Sequence, residues 1–151
     1  MSKLTLKDLE ARIGQQIGIS HWLEMTQDRI NAFAEATDDR QWIHVDEKRA
    51  RRSPLRSTVA HGYLLVSLLA HFNLENEIFQ QKFRMAINYG MDRVRFLQPV
   101  RPGDRIRNRA LLKNVEKRGL RKVLITVENT LDIEGKEKPA LIAETLALIY
   151  L

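Results

Sequence analysis

The chain has no cysteine among its 151 residues. That excludes a disulfide framework, a thiolate metal site and a cysteine nucleophile, and it fits a reducing compartment. Aromatic residues are scarce, at 7%. Arg93, Arg95, Arg105, Arg107 and Arg109 alternate along the chain with few aromatics near them, a poor stacking platform for nucleic acid. The 7 glycines are scattered, so there is no phosphate-cradling loop, and no Gly-x-Ser-x-Gly elbow occurs. The longest strongly apolar run covers residues 63–69, with Ser67 inside it. It falls far short of the ~20 residues of a membrane span. Residues 1–14 mix Lys3, Lys7, Asp8, Glu10 and Arg12 among leucines and lack the apolar stretch of a secretion signal. A cytoplasmic protein with no membrane span is expected.

What is present suits a single globular domain over residues 1–151, with 44% hydrophobic and 29% charged residues. The net charge of +6 and pI of about 9.8 suit an anionic partner: nucleic acid, a membrane surface or a phosphate-bearing molecule. The cations cluster at residues 40–56 and 101–122. Most of them are read as a solvated surface.

Turn and cap signals divide the chain. Thr5 is placed to cap a helix over 6–13, closed by Gly14. Residues 17–25 read as a strand with Ile17 and Ile19 on one face. Thr26 caps a helix over 27–36, where Ile30, Phe33 and Ala34 fall at helical spacing. Residues 37–46 turn polar, Asp46 caps a short turn to 51, and Ser53-Pro54 ends it. Residues 62–72 form a helix apolar on nearly all sides, which predicts enclosure. Four strands follow, over 84–97, 104–116, 123–133 and 140–151, with Asn129 the one interruption of the third. Turns at Pro102-Gly103-Asp104, Arg118-Gly119 and Glu134-Gly135-Lys136 separate them. The order predicts an α+β layer in which an antiparallel sheet wraps a buried helix.

Two features point to chemistry. Asp39 stands five residues before His44 in the polar stretch. A carboxylate and an imidazole on one water can remove a proton and return one elsewhere. The bland alternative is a loop acid bonded to backbone N–H groups and a histidine packed by Trp42. His61-Gly62 stands at the start of the apolar helix. A glycine there allows close backbone approach, and its free N–H at the positive dipole end suits an oxyanion. Tight packing at Gly62, and a satisfied core histidine at His61, are the alternatives. His21 and His71 carry no pattern. His44 with Asp46 is a poor ligand pair, and no metal is expected.

These residues resemble the MaoC-like, (R)-specific enoyl-CoA hydratases of the hot-dog fold, in particular their nodulation-protein-N-like branch. The resemblance rests on Phe33-Ala34-Glu35-Ala36-Thr37-Asp38-Asp39 through His44-Val45-Asp46, on Thr58-Val59-Ala60-His61-Gly62, and on Ile87-Asn88-Tyr89-Gly90, Val94-Arg95-Phe96 and Gly103-Asp104. It covers nearly the whole chain. It implies a curved antiparallel sheet wrapped around a long central helix, and a homodimer joined edge to edge. It implies reversible hydration of trans-2-enoyl-CoA, with Asp39 and His44 as the catalytic dyad and the Gly62 N–H as donor to the thioester carbonyl. Substrate-binding roles fall on His61, Gln41, Asn88, Tyr89 and Gly90. No cofactor is implied, coenzyme A thioester being the substrate. Departures from the family pattern are Asp38 in place of a frequent glycine, Gln41-Trp42 in place of Asn-Pro, and Ala70 in place of a serine. A hot-dog acyl-CoA thioesterase and a non-catalytic acyl-thioester-binding dimer are the rival readings.

Overall fold

The computed structural model describes residues 3–151. Thr5 opens helix α1 (Leu6–Glu10) with a reciprocal capping box to Asp8. The helix stops short of the expected residue 13. The chain is drawn to the sheet at Gly14, whose φ of 82° favours glycine and whose N–H donates to the Leu112 carbonyl at 2.7 Å. The expected strand over 17–25 is two pieces, β1 (Gln16–Ile19) and β2 (Leu23–Glu24), each antiparallel to β4 (Arg105–Lys117). Ile17 is an extra residue in the β1 register. The bulge turns Ile17 into the core and leaves Ile19 47% exposed, so the two do not share a face.

Helix α2 (Gln27–Thr37) follows its Thr26 cap. A single turn, α3 (Trp42–Val45), lies where sequence suggested irregular chain, and α4 (Glu47–Arg51) is capped by Asp46. Helix α5 (Gly62–Asn73) precedes the long strands β3 (Met85–Phe96), β4, β5 (Lys122–Ile133) and β6 (Leu141–Tyr150). The strand order is β1-β4-β5-β6-β3, with β2 also on β4, and every pairing between these strands is antiparallel.

The architecture is α+β and hot-dog-like, but the expected sheet wrapped around a long central helix is not what forms. The sheet is open, with β1 and β3 as its ends. Helix α5 has 12 residues and β4 has 13. At ~1.5 Å per helical and ~3.4 Å per strand residue, the helix spans less than half the strand. It therefore covers one part of the sheet, placing Leu65, Leu69 and Phe72 against Ile106, Leu131 and Leu141. The other part is covered by Leu4, Leu9 and Ile78 over Leu112, Ile125 and Ile149. Nor is α5 enclosed. Tyr63 is 75% and Leu74 59% exposed, and His71 is also open to solvent.

Asn129 keeps the period of β5 instead of breaking it. It points into the core, is fully buried and is hydrogen-bonded there. Among the described residues, no helix is long and apolar enough to cross a membrane.

Candidate active site

Two helix ends and one extended segment converge. Helix α2 ends where the Thr37 hydroxyl donates back to the Phe33 carbonyl at 2.7 Å and Asp38 turns left-handed, at φ 61°. That conformation suits glycine best, and aspartate better than most other residues. The Asp38 carboxylate is held by Arg40 Nη1 at 2.8 Å. The same guanidinium grips Glu35 through Nε and Nη2 at 2.8 and 2.9 Å, and these bonds hold the Glu35 carboxyl below its usual range. The turn delivers Asp39, whose side chain stays about half exposed.

His44 sits on α3 and is buried. Its ring Nδ1 lies 2.7 Å from the Val59 carbonyl. A carbonyl only accepts, so Nδ1 carries the proton and Nε2 keeps a free lone pair. Burial pushes the His44 imidazole below its usual range, and the neighbouring His61 adds to this. The Val59 carbonyl and Asp39 act the other way. Gln27 fixes the turn from α2: its amide nitrogen donates to the His44 carbonyl at 2.8 Å, and its amide oxygen accepts from the Thr58 hydroxyl.

The segment leading to α5 is stitched to both sides. Val59 N–H donates to the Ile43 carbonyl at 3.0 Å, and Ala60 N–H to the Val100 carbonyl at 2.8 Å. It carries His61, which is 2% exposed. The Nε2–H of His61 donates to the Asp39 carbonyl at 2.9 Å, with the Asp39 carboxylate 4.0 Å from the same nitrogen. His61 Nδ1 is buried and has no hydrogen-bond partner among the described residues. The His44 and His61 rings stack, and Phe33 packs against His61 with centroids 4.9 Å apart.

Asp39, His44 and His61 thus form one cluster, their donor atoms all within 4.8 Å of one another. Such a trio has the ligand types of a metal site. The stack works against that use: the ring planes are 22° apart with centroids 3.7 Å apart. Lone pairs lying in near-parallel planes do not converge on one ion at ~2.1 Å. A proton-transfer centre fits the arrangement better, with one free imidazole lone pair and a half-exposed carboxylate.

Gly62 is the first residue of α5, next to the cluster. His61, the N-cap, gives the first turn no side-chain hydrogen bond, its carbonyl accepts from the Leu64 and Leu65 N–H groups, and the Gly62 N–H at the helix start is left without a side-chain cap. Gly62 also packs closely: a Cβ there would stand 2.8 Å from Phe96 Cζ, the tight packing that is the alternative reading of this glycine. Gln41, exposed, is the N-cap of α3, and its carbonyl accepts from the His44 N–H at 3.0 Å.

The remaining expected residues lie elsewhere. Asn88, Tyr89 and Gly90 are exposed on β3 and line a cavity of about 860 Å³ between α5 and strands β3 and β6. The cavity begins about one helical turn beyond Gly62, at Val66 and Ser67. None of the cluster residues lines it. Sequence reasoning missed Gln27, Thr58 and the contact of His61 with Asp39. Those partners are 17 to 31 residues apart, and no local pattern marks them.

A family model described as MaoC like domain matches residues 8–134. The chain is 42% identical over 150 residues to nodulation protein N of Rhizobium leguminosarum bv. viciae, covering 99% of this chain and 93% of that one. It is 42% identical over 143 residues to 3-hydroxyacyl-thioester dehydratase Z of Mycobacterium tuberculosis, covering 94% and 93%. Among solved structures, a monoamine oxidase regulatory protein from Archaeoglobus superposes with a TM-score of 0.84 at 24% identity, over 99% of this chain and 96% of that one.

Proposed function

The chain belongs to the MaoC-like family, and from that membership we propose that it is an (R)-specific enoyl-CoA hydratase, equally a 3-hydroxyacyl-CoA dehydratase. The cluster of Asp39, His44 and His61 at the mouth of α5 carries the reading. The dehydratase relative, whose name specifies 3-hydroxyacyl thioesters, supports the substrate class.

In hydration, Asp39 and His44 hold one water. His44, kept neutral by burial and turned by Val59, presents Nε2 to it. The water oxygen bonds to C3 of the enoyl thioester as a proton passes to the pair. The C2=C3 electrons move toward the thioester carbonyl, whose developing oxyanion accepts from the Gly62 N–H. The pair returns a proton to C2, so it ends as it began. Dehydration is the same path reversed. The reaction needs no oxidant or reductant.

The working unit is a homodimer on this reading. Strand β3 is a 12-residue sheet edge, nearly all of it exposed. Ile87, Tyr89, Met91 and Phe96 on β3, and Tyr63 on α5, present apolar surface to solvent. Such an edge calls for a partner strand.

The test is loss of enoyl absorbance with crotonyl-CoA and hexenoyl-CoA, with free thiol followed in parallel. Absorbance loss without thiol release is expected, reduced about 10²–10⁴-fold in Asp39→Asn and His44→Gln. Thiol release would move the assignment to a thioesterase. No reaction with these substrates or with trans-2-dodecenoyl-CoA, or full activity in both variants, would overturn the proposal.

A further inference from the structure

The cavity between α5 and the sheet carries polar groups that hydration does not use. Its sides are apolar at Val66, Ala70, Ala86 and Val127, yet Asn73 and Thr145 also line it. Behind these two runs a chain of buried amides. Asn108 Nδ2–H donates to Asn129 Oδ1 at 2.8 Å and, more weakly, to Asn73 Oδ1 at 3.4 Å. Asn129 Nδ2–H donates to the Thr145 hydroxyl at 2.9 Å and to the Val127 carbonyl at 3.0 Å. Asn76 Nδ2–H reaches Asn73 Oδ1 at 3.3 Å. None of the four asparagines is more than 8% exposed.

This network is uneconomical as packing alone, because buried amides stabilise a core only when fully paired. It is not fully paired. Asn108 Oδ1 is buried without a partner among the described residues. The amide oxygen of Asn73 takes both of that side chain's hydrogen bonds. Its nitrogen has no partner among the described residues, while Asn73 lines the cavity. The network therefore orients Asn73 with an unused N–H donor and places it where a ligand can reach it.

The position fixes a length. Gly62 and Asn73 are the two ends of α5, a helix of 12 residues, so they lie roughly 17 Å apart at ~1.5 Å per residue. An extended hydrocarbon chain advances roughly 1.3 Å per carbon, from C–C bonds of ~1.52 Å. A chain of roughly a dozen carbons links a thioester at Gly62 to the amide of Asn73.

Building on the assignment of the Asp39–His44–His61 end as the thioester site, we propose that the cavity selects a long acyl chain carrying an oxygen acceptor, a keto or hydroxyl group, near its far end. Asn73 is the residue that recognises it. A site arranged to hydrogen-bond a substrate group discriminates strongly against the analogue lacking that group.

The test uses binding as well as turnover. Dodecanoyl-CoA, 5-oxododecanoyl-CoA and 11-oxododecanoyl-CoA are titrated into the protein in a calorimeter. At least tenfold tighter binding of the 11-oxo ligand over the other two is expected. Asn73→Leu, shown to be folded by its thermal transition, should abolish that preference, and Asn73→Gln should keep part of it. Equal affinity for the three ligands in the wild type, binding of none, or a preference that survives in Asn73→Leu overturns the inference. Hydration of trans-2-dodecenoyl-CoA by the wild type is followed separately. Turnover without the 11-oxo preference sinks the inference alone, and the preference without turnover sinks the hydratase reading alone.

Discussion

The imidazoles of His44 and His61 lie face to face, 3.7 Å between ring centres, although 17 positions separate them in the chain. The neighbouring His61 ring adds to the burial that disfavours the charged form of His44.

Acid should therefore cost activity and stability together. The folded His44 has a lowered pKa because burial disfavours its charged form. Above about pH 6.5, the ordinary imidazole value, His44 is neutral in both folded and unfolded chains, and its full contribution is present. As pH falls below that value the unfolded chain protonates first, so stability drops until the lower folded value is passed. Melting temperatures followed down from neutral pH should fall more steeply for the wild type than for His44→Gln. The acid limb of kcat/KM should have its midpoint below about 6.5.

His61 positions Asp39 through a backbone bond and touches His44 by stacking. Replacing it by Phe retains a ring for the stack and removes the donor. Steady-state kinetics of His61→Phe should show kcat reduced about 10²-fold, the scale of a ~1 Å misplacement, with KM changed far less. An unchanged kcat would mean that the Asp39 carbonyl needs no such tether.

Gly62→Ala should push the Phe96 ring aside, since the new Cβ would stand 2.8 Å from its tip. Phe96 is 52% exposed, so the ring has room to move, and thermal stability should change by less than about 1 kcal/mol. Turnover should suffer more than stability. The double variant Gly62→Ala/Phe96→Leu should recover part of it, and activity assays on the three variants decide the point.

Gly18 meets a harder obstacle. A Cβ there would lie 2.9 Å from Asn76 Cβ and 3.0 Å from its Cα, and backbone does not swing away. Gly18→Ala should destabilise by about 1–3 kcal/mol, the usual cost of overpacking, measured by urea unfolding.

Charging the open edge should separate the proposed dimer. The double variant Ile87→Lys/Met91→Lys places like charges on both copies of an exposed apolar strand. Light scattering should give twice the chain mass for the wild type and one chain mass for the variant. A wild type that already runs as one chain would remove the dimer from the proposal.

The strands were legible because much of β4 and β5 alternates core and outer residues and turn residues set the strands off. Asp39 and His44 were legible by their local spacing. Helix α3 was not, since Gln41 offers it no side-chain cap bond and four residues carry no period. The extent of α5 could be read, but not its setting: apolar composition suggested enclosure, whereas a helix so short leaves half the sheet to other residues. Asn129 read as a flaw in β5 because its partners, Asn108 and Thr145, come from the neighbouring strands. Long-range pairings of that kind leave no mark in a local window.

Strand β3 has two extra residues relative to β6, Tyr89 and Asp92. Each offsets the ladder and bends the strand locally. A segment of arbitrary extended chain laid along this edge would fall out of step twice within a dozen residues. Runaway stacking of strands into fibrils rewards flat, uninterrupted edges. The two irregularities thus shield a sticky edge from amyloid-like growth, and β3 can stay apolar without becoming a seed.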